Sequence, residues 1–135
     1  MKAKILSVIL LSVFLAAVSG CRSNTVYNVS DESIMSNKDN LTEEDVKKAI
    51  VRAGSSLGWS MNTREPGKIV ATLNIRKHMA KVNIRYTTKK YSITYVNSRN
   101  LNYTVDEDEG PLIHSNYNGW IQNLDNSIKS QLNTL

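Results

Sequence analysis

Three stretches decide the fold: Ile69-Val70-Ala71-Thr72-Leu73-Asn74-Ile75, Ala80-Lys81-Val82-Asn83-Ile84-Arg85-Tyr86 and Tyr91-Ser92-Ile93-Thr94-Tyr95. In each, apolar residues fall on alternate positions. Ile69, Ala71, Leu73 and Ile75 share one face, as do Ala80, Val82, Ile84 and Tyr86, with Lys81, Asn83 and Arg85 opposite. Successive strand side chains point to opposite faces, so this alternation predicts strands buried on one side only. Half-buried strands favour an antiparallel meander over a parallel sheet. Glu65-Pro66-Gly67 supplies the turn before the first stretch, and Thr87 to Lys90 the turn before the third. Trp59 to Thr63 is a candidate fourth strand.

Outward from the meander, the period changes. Val46, Ala49, Ile50, Ala53 and Leu57 lie on one helical face, and Tyr117, Trp120, Ile121, Leu124, Ile128 and Leu132 form a second apolar stripe. Thr42 with Asp45 has the form of a capping box, Leu41 and Val46 that of a hydrophobic staple, and Gly58 that of a helix stop. Ser115 or Asn116 is the expected cap of the last helix. One half-buried sheet and two amphipathic helices have a joint solution, with both helices on the apolar sheet face. The expected fold is α+β and two-layered, a meander of 3–4 strands in the order α-β-β-β-(β)-α over residues 41–135. About 95 residues suffice for one core without disulfides.

The chain has 135 residues and a net charge of +5. Residues 1–20 have the form of a signal peptide: Lys2 and Lys4, then a charge-free apolar run from Ile5 to Val18 that is shorter than the about 20 residues of a membrane span. Val18-Ser19-Gly20-Cys21 resembles the lipobox of bacterial lipoproteins. That resemblance implies that Cys21, the one cysteine of the chain, becomes an acylated N-terminus and a membrane anchor. It also implies, through Arg22 in place of the aspartate that retains lipoproteins in the inner membrane, an outer-membrane location in a Gram-negative host. A Gram-positive host fits the same signal. Residues 21–135 carry 15 basic and 12 acidic residues, a net +3. Residues 21–40, rich in serine and asparagine, are expected to be a flexible tether reaching about 25 Å, with Val26 to Val29 as an optional edge strand.

The domain resembles a family of small, uncharacterised bacterial envelope lipoproteins. The resemblance is carried by Ile75-Arg76-Lys77-His78, the Ala80 to Tyr86 and Tyr91 to Tyr95 strands, Ser98-x-Asn100-Leu101-x-Tyr103, and Ile113-His114-x-x-Tyr117-Asn118-x-Trp120-Ile121. It spans roughly residues 57 to 128 and implies no activity. The acidic stretch Asp106-Glu107-Asp108-Glu109-Gly110 departs from the family pattern.

Catalytic constellations are missing from the sequence. There is no glycine-flanked serine elbow and no Gly-rich phosphate loop, and the single cysteine is committed to lipid. His78 and His114 are the only histidines, with no metal-ligand spacing around them. The Asp106 to Glu109 run lacks the glycine and bidentate glutamate of a calcium loop and reads as a solvated loop. Tyr117-Asn118-Gly119-Trp120 suits a sugar platform, but both aromatics sit on the apolar stripe, leaving Asn118 as the residue that packing does not explain. No enzyme, metal or cofactor is expected.

Charge is more informative. From Arg64 to Arg99 there are nine basic residues and one acid, Glu65. Lys81 and Arg85 are expected on an uncovered sheet face, with Arg76 nearby. Such a face attracts anionic partners at short range, and it also guards a sheet against edge-to-edge aggregation. The reading is a non-enzymatic, lipid-anchored envelope module whose Arg76, Lys81, Arg85 and Asn118 bind an anionic lipid, a glycan or an acidic protein surface, and not nucleic acid. The alternative is an envelope assembly factor acting through protein contacts at a strand edge or at the acidic loop.

Overall fold

The computed structural model describes residues 22–135; the signal-peptide and Cys21 readings lie outside them. The order of elements is β1 (Ser23–Thr25), β2 (Val29–Ser33), α1 (Glu43–Ser56), β3 (Ser60–Glu65), β4 (Lys68–Ile75), β5 (His78–Tyr86), β6 (Lys90–Arg99), β7 (Thr104–Asp106), β8 (Gly110–His114) and α2 (Ser115–Asn133). Strands β3 to β6 form the expected antiparallel meander. β2 joins it beside β6, giving a five-stranded sheet in the order β2-β6-β5-β4-β3. A second, three-stranded antiparallel sheet has the order β1-β8-β7. The fold is α+β.

Alternation in the meander corresponds to burial. Ile69, Ala71, Val82, Ile84 and Ile93 are fully buried, and they meet Ile50, Ala53, Ile121, Leu124 and Ile128 from the helices. Each such aliphatic side chain contributes about 1.5–3 kcal/mol on leaving water. α1 packs against α2, β3 and β5. Gly54 lets it come close to β3, since a Cβ there would lie 2.5 Å from Met61 Sδ. At its start Thr42 Oγ1 accepts from the Asp45 N–H while Asp45 Oδ2 accepts from the Thr42 N–H. The Lys38 ammonium on the same carboxylate, with those Thr42 bonds, holds Asp45 well below the usual carboxylate range. Gly58 follows α1 with φ +88°, and the Trp59 N–H returns to the Gly54 carbonyl at 3.0 Å.

Two expectations are corrected. Residues 22–40 are not a free tether, because they contain β1 and β2. Val29 pairs with Ile93, and a bulge with Asp31 at φ 49° then breaks the register, so β2 has no period-two pattern to read. The cap of α2 is His114, whose Nδ1 accepts from the Asn116 N–H at 3.1 Å. β8 runs directly into α2, so the last strand residue does the capping.

A buried polar connection ties β6, α2 and β2 together. Tyr91 Oη donates to Asp125 Oδ1 at 2.5 Å, and Lys129 Nζ contacts Asp125 Oδ2 at 2.9 Å and Glu32 at 3.2 Å. Asp125 is only 5% exposed. Burial, followed by the Asp125 bond, pushes the Tyr91 phenol well above its usual range, and the Asp125 bond raises Lys129. The sequence reading passed over this site. Its visible signal was a carboxylate four residues after Ile121 and three before Ile128, within the apolar stripe of α2.

Candidate binding surface

Register determines what the far face of the large sheet presents. Across β4, β5 and β6 its rungs read Lys68–Arg85–Ser92, Val70–Asn83–Thr94, Thr72–Lys81–Asn97 and Asn74–Met79–Arg99. The helices lie on the opposite face, where Ala80, Val82 and Ile84 are fully buried. Rungs on one face are about 7 Å apart along a strand. Lys81 and Arg85 are therefore separated by two rungs, with Asn83 between them, and Arg99 lies one rung beyond Lys81 on the neighbouring strand. The register shift between Lys81 and Val82 inserts Val96 as an extra residue on β6 and lets Asn97 face Lys81.

Charge on this face is largely uncompensated. Lys68 is held by Glu65 at 2.9 Å. Among the described residues, Lys81, Arg85 and Arg99 have no ion-pair partner. Cationic tips interleaved with amide and hydroxyl groups can take a row of phosphates or carboxylates, each gaining a charge-assisted bond from Arg or Lys and a neutral donor beside it.

Arg76 and Asn118 lie away from Lys81 and Arg85. Arg76 is in the two-residue turn between β4 and β5, at the end of the sheet, with φ 55°. Asn118 is on α2, behind the sheet, and its amide is engaged. Its Oδ1 accepts from the Tyr27 N–H and its Nδ2 donates to the Thr25 carbonyl, both at 2.9 Å. The side chain thus stands in for a peptide unit and clamps the chain around β1, which accounts for its residue type and removes it from the binding set.

The histidines are structural where their contacts are seen. His78 Nδ1 is 2.7 Å from the Asn100 carbonyl, and its ring lies 6.3 Å from that of Trp120. Tyr117 is fully buried, and burial pushes its phenol well above the usual range. The acidic stretch is the turn joining β7 to β8. Asp106 Oδ1 accepts from the Asp108 and Glu109 N–H groups, which lowers its pKa and fixes the turn. Among the described residues no group of three or more His, Cys, Asp or Glu side chains is placed to hold a metal ion. A cleft of about 350 Å³ between α1 and β3 is lined by Lys47, Lys48, Val51, Arg52, Met61 and Thr63, with no acid–base pair. No helix among the described residues is long and apolar enough to cross a membrane. Compared with protein families, curated proteins and solved structures, the chain matches none of them.

Proposed function

We propose that this protein is a non-enzymatic envelope module, anchored by lipid on Cys21 to the periplasmic side of an outer membrane, that holds an anionic envelope component on the open face of its large sheet. The observation that carries this reading is the set Lys81, Arg85 and Arg99 on one uncovered face, unpaired among the described residues. A face kept merely soluble has no need of one charge sign, because mixed charges serve that end as well.

Photo-crosslinking in intact cells tests it, with the reactive side chain at position 81 or 85 and at exposed position 48 as control. Anionic lipid or glycan adducts from 81 and 85 alone, lost in the Lys81→Glu/Arg85→Glu chain, are expected. Equal adducts from all three positions overturn the reading. A second reading, an assembly factor docking a protein at the β7–β8 hairpin, draws on Val105, which is 65% exposed beside four carboxylates. Protein adducts from position 105 and none from 81 would favour it.

A further inference from the structure

Where the chain enters the domain is fixed by hydrogen bonds. The Arg22 carbonyl accepts from the Ser115 N–H at 2.8 Å, and Ser23 pairs with His114. His114 N–H donates to the Leu101 carbonyl. One residue earlier, Asn100 bridges to the β4–β5 turn, with its Nδ2 on the Lys77 carbonyl at 2.6 Å and its own carbonyl on His78. Arg99 closes β6 at the same end, opposite Met79. Leu57 completes this pole: it precedes Gly58, where a Cβ would lie 3.9 Å from Leu73 Cδ1, toward the Ile75 end of β4.

The pole is basic without compensation. All twelve carboxylates of the chain lie on residues 31–45, 65, 106–109 and 125. Those of the α1 start and of the Glu65 turn are at the other end of the sheet, where they hold Lys38, Lys47 and Lys68 in ion pairs. The acidic hairpin turn is at the Gly110 end of β8, about 14 Å along the strand from His114. Arg22, Arg76, Lys77 and Arg99 have no ion pair among the described residues. Beside them Leu57 is 41% exposed and Ile75 is 37% exposed. Arg76 is also in the left-handed region, where glycine or asparagine suits a two-residue hairpin turn better, so folding does not account for an arginine there.

We propose that this pole, formed by Arg22, Leu57, Ile75, the Arg76–Lys77 turn and Arg99, is a bilayer-docking surface that rests on anionic phospholipid headgroups. Interfacial binding combines apolar side chains at the headgroup boundary with basic side chains on lipid phosphates. The segment outside the structure supplies the second argument. Residues 1–21 contain the apolar run Ile5 to Val18 and end one peptide bond before Arg22, so any membrane attachment they provide brings the bilayer to this pole. The inference rests on the anchored reading of the N-terminus but not on the ligand face at Lys81 and Arg85; Arg99 stands at the border of the two surfaces, and Lys81 and Arg85, one and three rungs further along, remain accessible.

The test uses the full chain with vesicles of phosphatidylethanolamine, with and without phosphatidylglycerol, that carry a lipid-borne quencher. A genetically encoded fluorescent amino acid replaces Leu57, Ile75, Lys48 or Glu107 in turn. Quenching is expected at 57 and 75 and not at 48 and 107, and only with phosphatidylglycerol present. Arg76→Gln/Lys77→Gln should lower the docked-to-undocked ratio about fivefold for each charge removed, with an unchanged circular dichroism spectrum. Equal quenching at all four positions, or none at 57 and 75, overturns the proposal. Flotation of the chain with vesicles reads the anchor separately. A chain that fails to float refutes the anchor, and quenching at 57 and 75 by excess vesicles then still decides the pole.

Discussion

The two sheets are held by different forces. In the five-stranded sheet, side chains do the specifying: alternate residues are buried from Ile69 to Leu73 in β4, from Ala80 to Tyr86 in β5 and at Tyr91 and Ile93 in β6, and slipping one residue would expose all of them. In the three-stranded sheet almost nothing is buried except Ile113, and β1 and β7 are exposed along their whole length. That sheet is positioned by hydrogen bonds to its main chain, namely from the Ser115 N–H to the Arg22 carbonyl, from the Val26 N–H to the Pro111 carbonyl and the two made by the Asn118 side chain. A sheet specified by burial announces itself in residue types. One specified by backbone partners does not.

Truncating the large sheet should break the comparison most severely. Ile84→Ala removes a fully buried side chain and should cost about 3 kcal/mol of global stability, read as a lower urea midpoint with unchanged slope. Asn118→Ala should cost less, about 1–2 kcal/mol for two bonds, and differently. Amide exchange should accelerate through Ser23 to Tyr27, while β4 to β6 keep their protection. If exchange rose equally in both sheets, the two sheets would not differ in what holds them. Asn118→Asp sharpens the point, because it retains an acceptor for the Tyr27 N–H but turns a carboxylate toward the Thr25 carbonyl.

Two smaller effects test the ends of the elements. Arg76→Gly relieves a left-handed arginine and should raise stability by about 1 kcal/mol in a thermal melt. A loss of stability would mean that the arginine side chain supports the turn. The smallest effect concerns Asp45, whose pKa is lowered in the folded chain. A lowered carboxyl stabilises the fold fully above its unfolded value of about 4 and loses that contribution as pH falls toward the folded value. Asp45→Asn should therefore lower stability near neutral pH, leave it unchanged at the acid end and so flatten the acid limb of the profile.

What could be read beforehand follows the same division. Ile69 to Tyr95 announced the meander, Thr42 and Asp45 the start of α1, and Tyr117 to Leu132 the second helix, because each pattern is local. Placing Lys81 and Arg85 on one face required only the parity of β5. β1 and β2 were hidden because their partners are β8 and β6, far along the chain, and because the bulge at Asp31 erases alternation. Asn118 looked like an unexplained polar residue for the same reason, since the groups that use it are 91 and 93 residues away. Asp125 was visible as a misfit on an apolar stripe, but only the fold shows Tyr91 and Lys129 meeting it.

The long sequence separation of those contacts constrains the order of folding. β3 to β6 can pair hairpin by hairpin as they emerge. The first strand cannot, because its partners, Leu112 to His114 and Asn118, are among the last quarter of the chain to be made. Contacts of such separation form late, after the loop-closure entropy has been offset by a nucleus elsewhere. Residues 22–27 are thus made before the rest of the domain and incorporated last, whereas β2 can join once β6 is in place. Until β8 and α2 have been made, the stretch from Arg22 to Tyr27 has nothing to pair with, and it remains reachable from solvent for most of the chain's synthesis.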